Sequence, residues 1–156
     1  MRALASAGAG FLLAVLWFDL MFDVQVRGRA DSADATDATD ATDAVASTAA
    51  YYRRVTTDAS PMNRLVALAM LVTAGAIVGE LLQGDVRTWV AAASLVLAVG
   101  PMTMAGIRTV PSAVRLGTQR DTPDEQFDLA RAILRQHLVC IVGIAGVLVL
   151  QLGFGG

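Results

Sequence analysis

Apolar residues are gathered into four long blocks, separated by stretches in which nearly all the charge is concentrated. The blocks run roughly from Ala3 to Phe22, Met62 to Leu82, Trp89 to Ile107 and Leu134 to Leu152. A helix needs about 20 such residues to cross the hydrocarbon core of a bilayer. Four blocks of this length within 156 residues leave little for a soluble domain. The pattern predicts an all-α integral membrane bundle of four helices in antiparallel up-down order, as one domain with a flexible first loop. Arg2 followed by an apolar run resembles the opening of a signal peptide. The run ends in Trp17-Phe18-Asp19-Leu20-Met21-Phe22-Asp23, without a small-residue cleavage site, so an uncleaved first helix is expected.

The polar segments carry their own signals. Between the first two spans, Asp31 to Asp43 is an Asp-Ala-Thr repeat with no bulky apolar side chain, expected to be a disordered tether. Ala44 to Tyr52 can form a short helix. It leads into Tyr51-Tyr52-Arg53-Arg54, a combination expected to anchor at the lipid headgroups. Ser60-Pro61 starts the second span as N-cap and first-turn proline. Gln83-Gly84-Asp85 is a tight turn into the third span, which Gly100-Pro101 should kink by freeing a backbone carbonyl. Thr122-Pro123-Asp124-Glu125 is a capping box. A helix from there to Leu152 is about 45 Å long, so residues 123–133 should extend beyond the membrane. On it, Phe127, Ala130, Leu134, His137 and Ile141 share an inward stripe.

Charge adds orientation more than identity. The net charge is only −2, and all 12 basic residues besides the single His are Arg. Ten of these arginines flank or lie in the first and third loops, against Arg2 and Arg87 on the other side. The positive-inside rule then places those loops in the cytoplasm and both termini outside, as expected for a bacterial plasma-membrane protein. The single Cys140 excludes an intrachain disulfide, and no metal site is expected from one His and scattered carboxylates.

Polar groups at membrane depth are costly unless paired, so they mark candidate sites. Most fall at the cytoplasmic ends of the spans, where packing would gather them. Asp19 and His137 are the candidate acid/base pair. Asp23, Asn63, Arg64, Arg108 and Arg115 are the candidate binding groups, with the arginines gripping an anion or balancing Asp19. The alternative is a network of Arg–Asp pairs that sets helix register. Glu80 is expected to pair with Arg87 across the turn, and Gly75-x-x-x-Gly79 and Ala5 to Gly10 to serve as close-packing surfaces. Phosphate-cradling loops, nucleophile elbows and nucleic-acid motifs are absent.

Pro111-Ser112-Ala113-Val114-Arg115-Leu116 after the third span, an acidic linker, and His137 entering the fourth resemble the anthrone-oxygenase-like family of small four-span membrane proteins. The resemblance implies an oxygenase-like activity on an aromatic or polyketide-like substrate, with His137 and Arg115 as the implicated residues. Three functional classes follow. One is an accessory or lipid-contacting module whose arginines meet anionic headgroups, with no cofactor specified and a homo-oligomer or partner membrane protein as its contact. The second is a membrane-embedded enzyme whose lipophilic small molecule enters from the bilayer. A transporter is least supported, because no polar stripe or internal repeat runs through the spans. Convergence of Asp19 and His137 around a cavity separates the first two.

Overall fold

The computed structural model describes residues 1–27, 35–58 and 60–155. All regular structure in them is helical: α1 (Arg2–Arg27), α2 (Ala35–Arg53), α3 (Ser60–Gln83), α4 (Thr88–Met104), α5 (Val110–Thr118) and α6 (Pro123–Gly153). Two five-residue π turns, Arg54–Asp58 after α2 and Ala105–Thr109 between α4 and α5, complete the set. Four helical stretches are long and apolar enough to cross a membrane: Arg2–Val26, Pro61–Gln83, Thr88–Thr118 and Pro123–Gly153. The chain is a multi-pass membrane protein built as a helical bundle.

In the bundle, α6 packs beside α1 and α4, and α3 beside the same two helices from the other side. Lipid is as apolar as leucine, so burial alone does not hold such helices together; close van der Waals packing does. The core supplies it with small residues, Ala5, Ala9, Ala76 and Ala98, set among Leu12, Ile77, Ile144 and Val147. Only part of each expected glycine surface is used. Gly79 faces Met1 and Gly8 lies against the Thr73 side chain, whereas Gly75 and Gly10 have open space around them. Pro101, inside α4, is accommodated by a glycine on the neighbouring helix. A Cβ on Gly143 of α6 would meet Pro101 Cγ at 2.5 Å and the Leu97 carbonyl oxygen at 2.8 Å. That carbonyl is the one Pro101 leaves without its i+4 donor, and α6 covers it.

A second core sits at the loop end. Val26, Val45, Ala49, Tyr52, Ala113, Leu116, Ala130 and Ile133 are buried together there. They come from α1, α2, α5 and the first turns of α6. Exposed Arg53, Asp124, Asp128 and Arg131 surround this storey, so it adjoins water. Ordinary hydrophobic burial therefore applies, at roughly 1.5–3 kcal/mol for a side chain such as Leu116 or Ile133. The capping box starts α6 as expected: Thr122 N–H donates to Glu125 Oε2 at 3.0 Å, and Glu125 N–H to Thr122 Oγ1 at 3.4 Å. Residues 123–133 thus extend the fourth span into this second core.

Two expectations change here. The Asp-Ala-Thr stretch, expected to be a disordered tether over 31–43, is helical from Ala35 onward; residues 31–34 lie outside the described residues. Alanine at every third position is the strongest helix former, and aspartates near a helix start are favoured by its dipole. The docked second half of α2 supplies the rest: Thr48 Oγ1 donates to Ala44 O at 2.9 Å and lies 3.4 Å from Phe22 O of α1. The second change concerns Glu80, which does not pair with Arg87. Glu80 is fully buried and accepts a hydrogen bond from Gln151 of α6. Gly84, at φ +70°, closes the turn between α3 and α4. Arg87, beyond it, is left exposed. The Ser60 side chain, expected as an N-cap, lies outside the described residues.

Candidate functional site

α1 runs one turn past its apolar block, and this carries Asp19 and Asp23 to the junction of the two cores. They share a face because they are four residues apart. α6 brings His137 to the same level on the stripe formed by Ala130, Ile133, Leu134, His137, Cys140, Ile144 and Val147, all buried. The two helices meet there. His137 Nδ1 lies 2.6 Å from Asp23 Oδ2, and His137 Nε2 lies 3.9 Å from Asp19 Oδ2.

α2 closes the group from the loop side. Tyr52 donates its hydroxyl to Asp23 Oδ1 at 2.7 Å, and Tyr51 donates to Asp19 Oδ1 at 2.7 Å. Phe22 stacks on Tyr51 with ring centroids 4.0 Å apart and planes within 9°, which fixes the direction of the Tyr51 hydroxyl. Burial, reinforced by the Asp23 and Asp19 charges, pushes the Tyr52 hydroxyl well above the usual tyrosine range. Tyr51 is raised for the same reason, with burial first and Asp19 next. Both phenols therefore remain protonated donors. Neither anchors at the headgroups as expected from the sequence, because α2 folds back over the bundle and turns the rings inward.

The hydrogen-bond roles follow from elementary chemistry. With Asp23 as a carboxylate, which only accepts, the proton of the His137–Asp23 contact lies on Nδ1. Asp23, itself held by Tyr52, fixes the imidazole ring and its tautomer. Nε2 is left as the basic nitrogen, aimed toward Asp19. A carboxylate behind an imidazole is the arrangement that prepares histidine for proton transfer. Among the described residues no group of three or more His, Cys, Asp or Glu has the geometry to hold a metal ion.

This group forms one wall of a cavity of about 610 Å³, a size typical of small-molecule sites. The lining is mostly apolar, from Leu12, Leu16 and Phe18 of α1 through Val66 and Met70 of α3 to Met102 of α4 and Ile144 of α6. Polar groups gather at the loop end: Asp19, Tyr51, Tyr52, Thr56, Asn63, Thr109 and His137. Both π turns contribute lining residues, Val55 and Thr56 from one, Ala105, Gly106 and Thr109 from the other. Such turns recur at functional sites because the wide turn redirects side chains. Thr109 Oγ1 is buried without a protein partner, a polar atom available to an occupant. Phe18, Met62 and Val110 line the cavity while 61%, 43% and 50% exposed, so it opens beside α3 onto the outer surface of the bundle.

The remaining residues singled out from the sequence scatter. Asn63 lines the cavity, with its amide donated to the Thr56 carbonyl at 2.6 Å. Arg64 is exposed on α3 and does not line the cavity. Arg108 borders a separate surface depression with Gly100, Thr103, Met104 and Ile107. Arg115 makes two hydrogen bonds to Asp121, both 2.9 Å, and reaches Glu125 at 3.8 Å. The basic partner of Asp19 and Asp23 is thus His137 alone among the described residues, and among them the expected Arg–Asp register network does not form around these carboxyl groups. Tyr51 and Tyr52 were the residues sequence reasoning missed. Their signal was the adjacency of two phenols, which need hydroxyl partners once either is buried.

Searches against protein-family models, curated proteins and solved structures find no match to the chain.

Proposed function

We propose that the chain is a membrane-embedded enzyme that moves a proton on a lipophilic substrate drawn from the bilayer. The observation that carries this reading is the His137–Asp23 contact at 2.6 Å, placed at the polar end of an otherwise apolar cavity. In this reading His137 Nε2 takes a proton from an acidic C–H or O–H of the substrate. Asp23 holds Nδ1–H and stabilises the imidazolium that forms, and Asp19 lies near enough to add to that stabilisation. Tyr51 and Tyr52 act through the carboxylates they hold, as positioning residues. The apolar wall selects a hydrophobic body with one polar end. The resemblance to the anthrone-oxygenase-like family extends the reading to an oxygenase-like reaction on an aromatic or polyketide-like substrate, with His137 as the residue the two lines of reasoning share. Arginine placement supports cytoplasmic first and third loops and external termini.

The test compares lipophilic extracts of membranes carrying wild type or His137→Gln, read by mass spectrometry, together with what co-purifies in mild detergent. The expected result is a lipophilic compound that accumulates with His137→Gln and is consumed by wild type. Identical extracts and identical bound lipid from a folded variant would overturn the enzymatic reading. They would favour the second one, an accessory lipid-contacting module. Exposed Arg53, Arg54, Arg64 and Arg108 toward the loop end are the observation behind that second reading.

A further inference from the structure

A second buried polar group lies at the opposite end of the bundle, where the termini are. It joins Glu80 of α3, Ser94 of α4 and Gln151 of α6, all fully buried. Gln151 Nε2 donates to Glu80 Oε2 at 2.8 Å and lies 3.3 Å from Ser94 Oγ. That engages the amide nitrogen and leaves Glu80 Oε1 and Gln151 Oε1 buried with no hydrogen-bond partner. Among the described residues no ion pair includes Glu80.

An orphaned acceptor is costly in ordinary burial, and a carboxylate without a counter-charge is costlier at membrane depth. Three helices nevertheless converge on the group. Both orphaned atoms are oxygens that can only accept, so whatever completes the site must donate or be positive. A single carboxylate matches one positive charge. Carboxylate, amide and hydroxyl oxygens are hard ligands, suited to alkali ions or protons and unsuited to soft metals. The site is too closely packed for an organic ammonium, since Glu80, Ser94 and Gln151 leave no exposed surface.

We propose that Glu80, Gln151 and Ser94 form a binding site for one small monovalent cation, either an alkali ion of sodium's size or a proton. Glu80 Oε1 supplies the charge and Gln151 Oε1 the second oxygen, while Ser94 Oγ holds the Gln151 amide from its nitrogen side. The site is independent of the His137 cavity and of any activity there.

The experiment uses the full chain in detergent, with two readouts. The first is thermal unfolding in sodium chloride against choline chloride at equal ionic strength and fixed pH. The second is labelling of Glu80 by dicyclohexylcarbodiimide, an apolar reagent that attacks protonated carboxyl groups in apolar surroundings, mapped by peptide mass spectrometry. An alkali-ion site predicts that sodium raises the unfolding midpoint of wild type by about 5–10 °C when it is 100-fold above Kd. The shift is lost in Glu80→Gln and shrinks in Ser94→Ala, which keeps the carboxyl group, and sodium suppresses labelling. A proton site predicts labelling of Glu80 that sodium does not change, together with a sodium-independent midpoint. Absence of both labelling and sodium response overturns the proposal, as does a sodium response unchanged in both variants.

Discussion

The two ends of the bundle bury polar side chains in opposite ways. At the loop end, Asp19, Asp23, His137, Tyr51 and Tyr52 give every carboxylate a close partner, yet all of them but Asp23 border a cavity. At the terminal end, Glu80, Ser94 and Gln151 sit in packed surroundings, yet two of their oxygens go without a partner. The first arrangement spends no hydrogen-bonding capacity on its occupant beyond the imidazole face, Thr109 and the apolar wall. It suits a molecule that arrives, reacts and leaves. The second has unmet acceptors but no room for a molecule, which suits an ion. Space and an unmet carboxylate oxygen are therefore separate signals, and each end displays one of them.

The comparison breaks first at Asp23. Asp23→Ala strands two buried donors, His137 Nδ1–H and the Tyr52 hydroxyl, at about 1–3 kcal/mol each. The expected outcome is a fall of roughly 10 °C in the unfolding midpoint in detergent, the largest effect of the set. An unchanged midpoint would mean that the polar group at the loop end holds nothing together.

Packing offers a sharper contrast. Ile77 is fully buried in the closed half of the bundle, whereas Met70 lines the cavity. Ile77→Ala should cost about 2–5 kcal/mol, because its surroundings cannot collapse into the space left. Met70→Ala enlarges an existing void and should cost well under half of that. Equal losses measured by thermal unfolding would show that the two halves are packed alike. The smallest effect belongs to Arg115→Ala. Arg115 is exposed although its partner Asp121 is only partly so, so screening by water limits the fall in the unfolding midpoint to a few degrees at most. Catalysis at His137 should be indifferent to it. A clear loss of turnover would restore to Arg115 the role that the family resemblance implies.

What could be read from the chain tracks how local each determinant is. The spans follow from hydropathy, and the start of α6 from Thr122 and Glu125, whose reciprocal bonds close within four residues. His137 and Asp19 stood out because a polar group in an apolar block is conspicuous wherever the helices go. That Asp23 holds the imidazole more closely than Asp19 depends on how α1 is rotated against α6, which no local pattern encodes. Tyr51 and Tyr52 enter the site only because α2 folds back on α1, a contact between residues 29 and 32 apart. Arg64 and Arg108 were expected in the pocket from their depth along the spans. Depth says nothing about azimuth, and both point elsewhere. Glu80 and Arg87 are close in sequence, but the carboxylate turns inward to a helix more than seventy residues away.

The opening of the cavity beside Phe18, Met62 and Val110 has a consequence for how any occupant is measured out. A site that opens onto lipid samples the concentration of its ligand in the bilayer, which exceeds the aqueous one by the partition coefficient. Each added methylene in the ligand favours the bilayer by about 0.8 kcal/mol. Apparent affinity referred to water would then rise about fourfold per methylene with no new contact in the cavity. Affinity expressed per lipid would stay level until the chain outgrew the space between Leu12 and Met70. Selectivity among homologous compounds would thus belong largely to the membrane, and the protein's own discrimination would lie at the polar end.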